Sequence, residues 1–336
     1  MTHTVRSVVF TARDEVKCLT ADEDLVARPD SVVVETRYSA ISAGTELAKL
    51  SGLQAVDYPA LIGNRAIGRV LEAGAQSGFQ PGELVFAHTP HRSHAAPSWG
   101  LVARLPEALD RPDAALIGLA MVALTGVRVA APEIGDCAVV TGAGLVGNLA
   151  AQLLELCGVR TVLVDRLPAR LEIARQCGVR HTICTADGDP RDAVRELTGG
   201  AGADLLLECT GVPAVIAAAP ELCARSATLI LVGSPRGASH ADLTGFLDHV
   251  HLWREHGDLT LKGAHEWKIP LRPDDFHKHS QVRNAACLAE LMVEGRLRTA
   301  ELVSRVYRPE DAAEAYGVLR EGAAGCLGVV LDWTEG

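Results

Sequence analysis

One stretch of this chain constrains its fold more than any other: Val139-Val-Thr-Gly142-Ala-Gly144-Leu-Val-Gly147-Asn-Leu-Ala. A G-x-G-x-x-G pattern alone is weak. Here an apolar, strand-like run leads into it and an amphipathic helical pattern leaves it. A second apolar run then ends at Asp165, eighteen residues beyond Gly147. Gly142 permits the tight turn, Gly144 lets a pyrophosphate approach the backbone, and Gly147 lets helix and strand pack closely. The helix that starts here offers unpaired N–H groups and the positive end of its dipole. A carboxylate at Asp165 accepts hydrogen bonds from both ribose hydroxyls and repels a 2′-phosphate. That favours NAD over NADP, while the adjacent Arg166 leaves NADP open. The plain alternative is a glycine-rich turn in an α/β domain that binds no nucleotide.

The surrounding segments extend the pattern. Strand-like runs fall at 138–141, 161–165, 181–184, 204–208, 228–232 and 259–263, with helical segments at 145–157, 168–177, 189–198 and 213–223. Six strands with helical crossovers predict a doubly wound parallel sheet. Residues 1 to about 118 read instead as short strands and turns (5–10, 31–38, 63–72, 83–87), with no strong helical period before 113–131. The tail opens on a His- and Pro-containing loop and continues as helix 280–294, strand 302–307, helix 309–320 and strand 328–333. It is too short for a domain, which predicts that it packs back onto the first segment.

Composition fits this reading. Apolar residues make up 48% of the 336 but aromatics only 4%, so the core is built from Val, Leu, Ile and Ala, as parallel sheets under helices are. The net charge of −10 disfavours nucleic acid and anionic membranes as partners. No apolar run approaches the roughly 18–20 residues of a membrane span, and the N-terminus has no apolar stretch of signal-peptide length. The nine cysteines are scattered and form no C-x-x-C pair; Cys137, Cys157, Cys177, Cys184, Cys209 and Cys223 lie in apolar periodic segments. Reduced, mostly buried thiols in a cytoplasmic protein are expected.

Several segments carry a family resemblance: Ser42-Ala-Gly-Thr-Glu46, Pro59-Ala-Leu-Ile-Gly-Asn-Arg-Ala-Ile-Gly68, the glycine turn, Leu207-Glu-Cys-Thr-Gly211, Leu231-Val-Gly-Ser-Pro235 and Leu261-Lys-Gly-Ala-His265. Over essentially its whole length the chain resembles the medium-chain dehydrogenase/reductase, or alcohol dehydrogenase-like, superfamily. The resemblance implies an α/β fold in which a Rossmann domain, 119–265, is inserted in a mainly β, GroES-like catalytic domain made of 1–118 and 266–336. It also implies a cleft between the domains and a homodimer formed through the edge of the central sheet. Cofactor contacts are implied for Gly142, Gly144, Leu145, Val146, Gly147, Asp165, Arg166, Arg170, Cys209, Thr210, Gly211, Val232, Gly233, Ser234 and Ala264.

The departures are as informative as the matches. The zinc-binding branch of the superfamily has Cys before Gly-Thr-Asp, where this chain has Ala43 before Gly44-Thr45-Glu46. It has Gly-His-Glu, where this chain has Gly63-Asn64-Arg65. A third ligand falls near 117–118, where this chain has Ile117 and Gly118. Zinc needs three protein ligands and an open position. Ala43 and Gly118 carry no donor, and Arg65 sets a positive charge where a cation would sit. No cysteine lies between Cys18 and Cys137, so the cluster for a structural zinc is missing as well. A zinc-free protein is expected. His88, His91 and His94 are spaced by three but sit on a Pro-broken loop. They read as a polar loop at the cleft rim, with substrate contact by His88 and metal binding as alternatives.

Oxidising an alcohol without zinc needs a base or proton relay and a donor near the oxygen. His265 is the leading base or acid, since imidazole titrates near neutral pH; a histidine hydrogen-bonded at the dimer edge is its plain alternative. Glu46 is the second candidate, or else the partner of Arg65 or Lys49 in an ion pair. Thr45 matches the family's relay hydroxyl, or is a buried turn hydroxyl. Asn64, Arg65, His88, Glu266 and Lys268 are the expected substrate contacts. Trp267, Lys268, Phe276, His277 and His279 lie on a loop that either covers the substrate or is an ordinary solvated connection. The expected function is hydride transfer between NAD(H) and a small polar secondary alcohol or ketone, such as a cyclitol, a sugar or a related metabolite. A zinc-free, NADPH-dependent enone or quinone reductase is an alternative against which Asp165 argues. A nucleotide-binding protein without catalysis is the other.

Overall fold

The computed structural model describes residues 1–97, 102–322 and 325–334. The chain divides into two compact units, Met1–Gly118 with Ile269–Gly336, and Leu119–Lys268. The second is three residues longer than the expected 119–265, because the short 3-10 turn Glu266–Lys268 belongs to it.

In Leu119–Lys268, the central apolar runs become strands that are buried from both sides. Cys137–Thr141 is buried at every position. Among the described residues a six-stranded sheet runs in the order His181–Cys184, Arg160–Asp165, Cys137–Thr141, Ala203–Glu208, Cys223–Leu231, Thr260–Gly263, all neighbours parallel. In chain order this is 3-2-1-4-5-6, the doubly wound arrangement, and it places the topological switch between Cys137–Thr141 and Ala203–Glu208. Val139, Val162, Val164, Leu206 and Leu229 make the core on one side. The helix Leu243–His251 was not expected. Asp242 caps it by accepting from the Gly245 N–H, and its Leu243 and Leu247 face solvent, so no buried apolar stripe marks it in the sequence.

The other unit is mainly β. A sheet joins Val303–Tyr307, Gly328–Asp332, Val32–Ala40, Ala66–Ala73, Leu84–Ala87 and Val102–Arg104 in that order, so the C-terminal strands complete a sheet begun by the N-terminal segment. Phe10, Ile41, Tyr316, Val329, Leu331 and Trp333 share one buried cluster, with Phe10 edge-on to Tyr316. Thr2–Ala12 forms a hairpin with Glu15–Asp24. That second strand is absent from the sequence reading because charges occupy half its positions. It is an edge strand, where charge discourages further pairing.

Two expectations about helices need correction. A helix, Ala43–Leu50, precedes residue 113. Its buried positions are Glu46, Ala48 and Leu50, a spacing of two that hides the helical period. There is also a membrane-length run: Pro112–Ala130 is apolar and long enough to cross a bilayer by length and composition, though 83% of it is buried inside the protein. All nine cysteines are free, but only Cys137, Cys177 and Cys223 are buried, rather than most of them.

Candidate active site

The glycine turn has the geometry its sequence demands. Gly142 adopts φ +93°, and a Cβ there would lie 2.7 Å from the Thr210 methyl. A Cβ on Gly147 would lie 1.8 Å from the Gly142 carbonyl oxygen, so helix Leu145–Leu156 packs against the turn only with glycine at that position. Gly144 caps this helix and has open space beside it, the room a phosphate needs. Asp165 ends the second strand. Its two oxygens accept from the Ala143 N–H at 2.6 Å and the Leu167 N–H at 2.8 Å. A carboxylate has roughly four acceptor positions, so two remain for ribose hydroxyls. Arg166 is exposed and Arg170 half-buried, one helical turn away.

Glu208 was not among the expected site residues. It ends strand Ala203–Glu208 opposite Thr141, at the switch point, and is 0% exposed. Its carboxylate accepts from the N–H groups of Thr210 and Gly211 and from the Thr210 hydroxyl. The loop that carries Cys209, Thr210 and Gly211 is thereby tied down. Burial and the Glu208 charge raise the Cys209 thiol pKa, so it stays a thiol. Gly211 has φ +65°, and a Cβ there would lie 2.5 Å from the Ser234 carbonyl oxygen. An acid closing an apolar strand is the sequence signal that marks Glu208.

In the mainly β unit, Asn64, Arg65, His88 and Gly118 form one cluster. Arg65 is 4% exposed and donates to the Asn64 side-chain oxygen at 2.7 Å. Its aliphatic stem lies on Gly118: a Cβ there would be 2.3 Å from the Arg65 Cδ and 2.6 Å from its Cγ. With Arg65 in this conformation, a side chain at position 118 would overlap its stem. His88 stacks edge-on against Phe86, and burial together with the Arg65 charge pulls its pKa down to about 3. The imidazole is neutral at neutral pH, one ring nitrogen donating and the other accepting.

This cluster does not fit the metal of the zinc-type pattern. Ala43 and Gly118 have no donor atoms, the Asn64 oxygen is engaged by Arg65, and the Arg65 stem fills the third position. Among the described residues no group of three or more His, Cys, Asp or Glu side chains is arranged to hold a metal.

Glu46 and the histidine triplet take places the sequence did not predict. Glu46 is 3% exposed. It accepts from the Ser42 N–H at 2.7 Å, from the Tyr316 hydroxyl, and from His91 Nε2 at 3.1 Å. Burial opposes its charge, but His91 and these hydrogen bonds outweigh burial and lower its pKa. It therefore has neither the open carboxylate of a base nor an ion pair with Arg65 or Lys49. Trp333 Nε1–H donates to Ser39 Oγ, which is hydrogen-bonded to His91 Nδ1, and His91 Nε2–H donates to Glu46. The Tyr316 pKa rises well above its ordinary value, through burial and the Glu46 charge.

His91 is thus a core residue, 0% exposed, rather than part of a polar rim. Its ring lies where a Cβ on Gly63 would be, 2.5 Å away, and its N–H donates to the Ile62 carbonyl. The network fixes the turn that carries Asn64 and Arg65. His94 points elsewhere, against His3 and Ser93. The regular spacing of three masks these separate destinations. Thr45 is half-buried on helix Ala43–Leu50.

The remaining expected residues lie on Leu119–Lys268. His265 is exposed, its Nδ1 accepting from the Trp267 N–H at 3.4 Å. Glu266 is buried, and the exposed Lys268 ammonium donates to the Gly263 carbonyl at 3.3 Å. Beyond the junction, Phe276 is 92% exposed on a loop held by Asp274, which accepts from the N–H groups of Phe276 and His277.

A family profile described as zinc-binding dehydrogenase matches residues 146–267. A D-guloside 3-dehydrogenase from Shigella flexneri is 25% identical over 76% of this chain and 72% of its own length. A D-xylulose reductase from Morganella morganii is 27% identical over 63% of this chain and 57% of its own. The crystal structure of galactitol-1-phosphate dehydrogenase from Escherichia coli superimposes with a TM-score of 0.84 at 19% identity, covering 97% of this chain and 99% of that one. The profile match and these relatives agree with the resemblance to the medium-chain dehydrogenase/reductase superfamily. The fold expected from the sequence holds, and the relatives support the expected oxidoreductase class.

Proposed function

We propose that this protein transfers hydride between NAD(H) and a polar secondary alcohol or its ketone, of the sugar, polyol or cyclitol kind, without zinc. The observation that carries the reading is the Arg65 stem lying over Gly118 in a chain whose dinucleotide turn is intact. The named relatives act on a guloside and on xylulose, which supports the substrate class.

NAD held by the Gly142–Gly147 turn and Asp165 would supply the hydride acceptor, and the substrate hydroxyl gives its proton to a base of this chain. Arg65 and Asn64 supply N–H donors to the oxygen as negative charge develops there. His88, kept neutral by burial and the Arg65 charge, is a further candidate substrate contact. Thr45 is a hydroxyl contact. His265 is the candidate proton acceptor, while Glu46 is left to positioning. The two free acceptor positions on Asp165 support NAD. The exposed Arg166 and Arg170, whose buried Nε has no hydrogen-bond partner, make NADP the reading to test against it. The edge strand Thr260–Gly263 is exposed at most positions, which supports the proposed homodimer.

A panel of sugars, polyols, cyclitols and simple enones, followed by NADH absorbance, tests the function. Turnover of a secondary alcohol with NAD is expected, and activity confined to enones with NADPH overturns it. Asp165→Ser narrows the preference for NAD. Tighter NADP binding by the parent protein contradicts the cofactor assignment.

A further inference from the structure

We infer that Glu208 is a positioning residue for the dinucleotide, and that only a carboxylate serves at this place. The inference deepens the cofactor reading above and rests on it. Glu208 closes a central strand at the switch point, where ligands of doubly wound sheets bind beyond the carboxyl ends of the strands. It is wholly buried, and its hydrogen-bond partners are uncharged. Oε1 accepts from the Thr210 N–H at 2.8 Å, from the Thr210 hydroxyl, and from the Thr141 hydroxyl at 3.5 Å; Oε2 accepts from the Gly211 N–H at 3.0 Å. Its own carbonyl accepts from the Val232 and Gly233 N–H groups at 2.9 and 2.8 Å.

One residue therefore ties together three strand ends. The loop it holds presses on the glycine turn through Thr210, 2.7 Å from where a Cβ on Gly142 would be, and on Ser234 through Gly211. There is no slack for this loop to shift without moving the turn.

The donor pattern explains why an acid stands here. A backbone N–H points at each carboxylate oxygen, and backbone donors do not reverse. A glutamine side chain has one acceptor oxygen and one NH2 donor. Whichever way that amide is turned, its NH2 meets either the Thr210 or the Gly211 N–H. Two donors then face each other in a buried place, and the loop has to move to relieve them.

The test is calorimetric titration of NADH and NADPH into the parent protein and Glu208→Gln, at a temperature where circular dichroism shows both folded. The expected result is a dissociation constant about tenfold higher, or more, in the variant. A folded Glu208→Gln that binds as tightly as the parent, even with a lower melting temperature, overturns the inference. Should Glu208→Gln fail to fold, Thr210→Val removes a single hydroxyl from the same cradle. It is expected to weaken binding about threefold, and unchanged binding there overturns the inference. A parent protein that binds neither nucleotide overturns the cofactor reading itself, and the inference with it.

Discussion

The carboxyl-end loops of the parallel sheet and the cluster around Arg65 show opposite relations between sequence and structure. At the glycine turn each residue stands as the family pattern has it, and close contacts explain why: a Cβ on Gly142, Gly147, Gly211 or Gly233 would collide with its neighbours. Around Arg65 the pattern is broken at Ala43, Asn64, Arg65 and Gly118 together, yet the result is equally well packed. Gly118 gives up a side chain and Arg65 fills the space. The turn has one solution because each glycine is hemmed in by backbone or by Thr210. Under the proposed function the Arg65 cluster is the substrate side, changed as a set while the cofactor turn is kept.

Four changes break or sharpen that comparison. The largest effect is expected at the turn. Gly147→Ala puts a methyl 1.8 Å from a backbone oxygen and should cost ~3 kcal/mol, with loss of nucleotide binding; thermal melts and NADH titration read both. Next, Arg65→Met should lower turnover by about a hundredfold while leaving the NADH dissociation constant within about twofold, on the scale of a lost charge-stabilising donor. Equal losses in both would mean that the two regions do not act separately.

Third, Tyr316→Phe removes a donor to the buried Glu46 carboxylate and should destabilise the protein by ~2 kcal/mol in urea melts. The Glu46 pKa is lowered on folding, so this stabilisation is present above the ordinary carboxylate pKa and is lost as pH falls through the lower folded value. The last prediction is a pH dependence at His88. Its folded pKa of about 3 lies below the ordinary 6.5, so between those values the unfolded chain binds the extra proton. Stability should therefore fall on acidification across that window, by up to about 1.4 kcal/mol per pH unit, and His88→Gln should flatten the slope.

The sheet is legible because its central strands are continuous apolar runs separated by helical segments, and Thr161 to Asp165 or Ala203 to Glu208 need no partner information to be recognised. The helix Ala43–Leu50 is not, because its buried side includes Glu46, and burial of an acid follows from His91 and Tyr316, far away in sequence. Nor is the core position of His91, whose neighbours at 88 and 94 suggest a set. In the sequence, Gly118 shows only as a missing ligand. That it is a space reserved for Arg65 depends on a contact across more than fifty residues, which spacing alone does not carry.

The central claim is that the Arg65 cluster works without a metal. Its most direct test is elemental analysis of purified protein alongside turnover, before and after dialysis against a strong chelator. The expected result is no stoichiometric zinc and the same rate of NAD reduction on the best substrate of the panel. Stoichiometric zinc, removed by the chelator together with activity and restored with it, would contradict the claim.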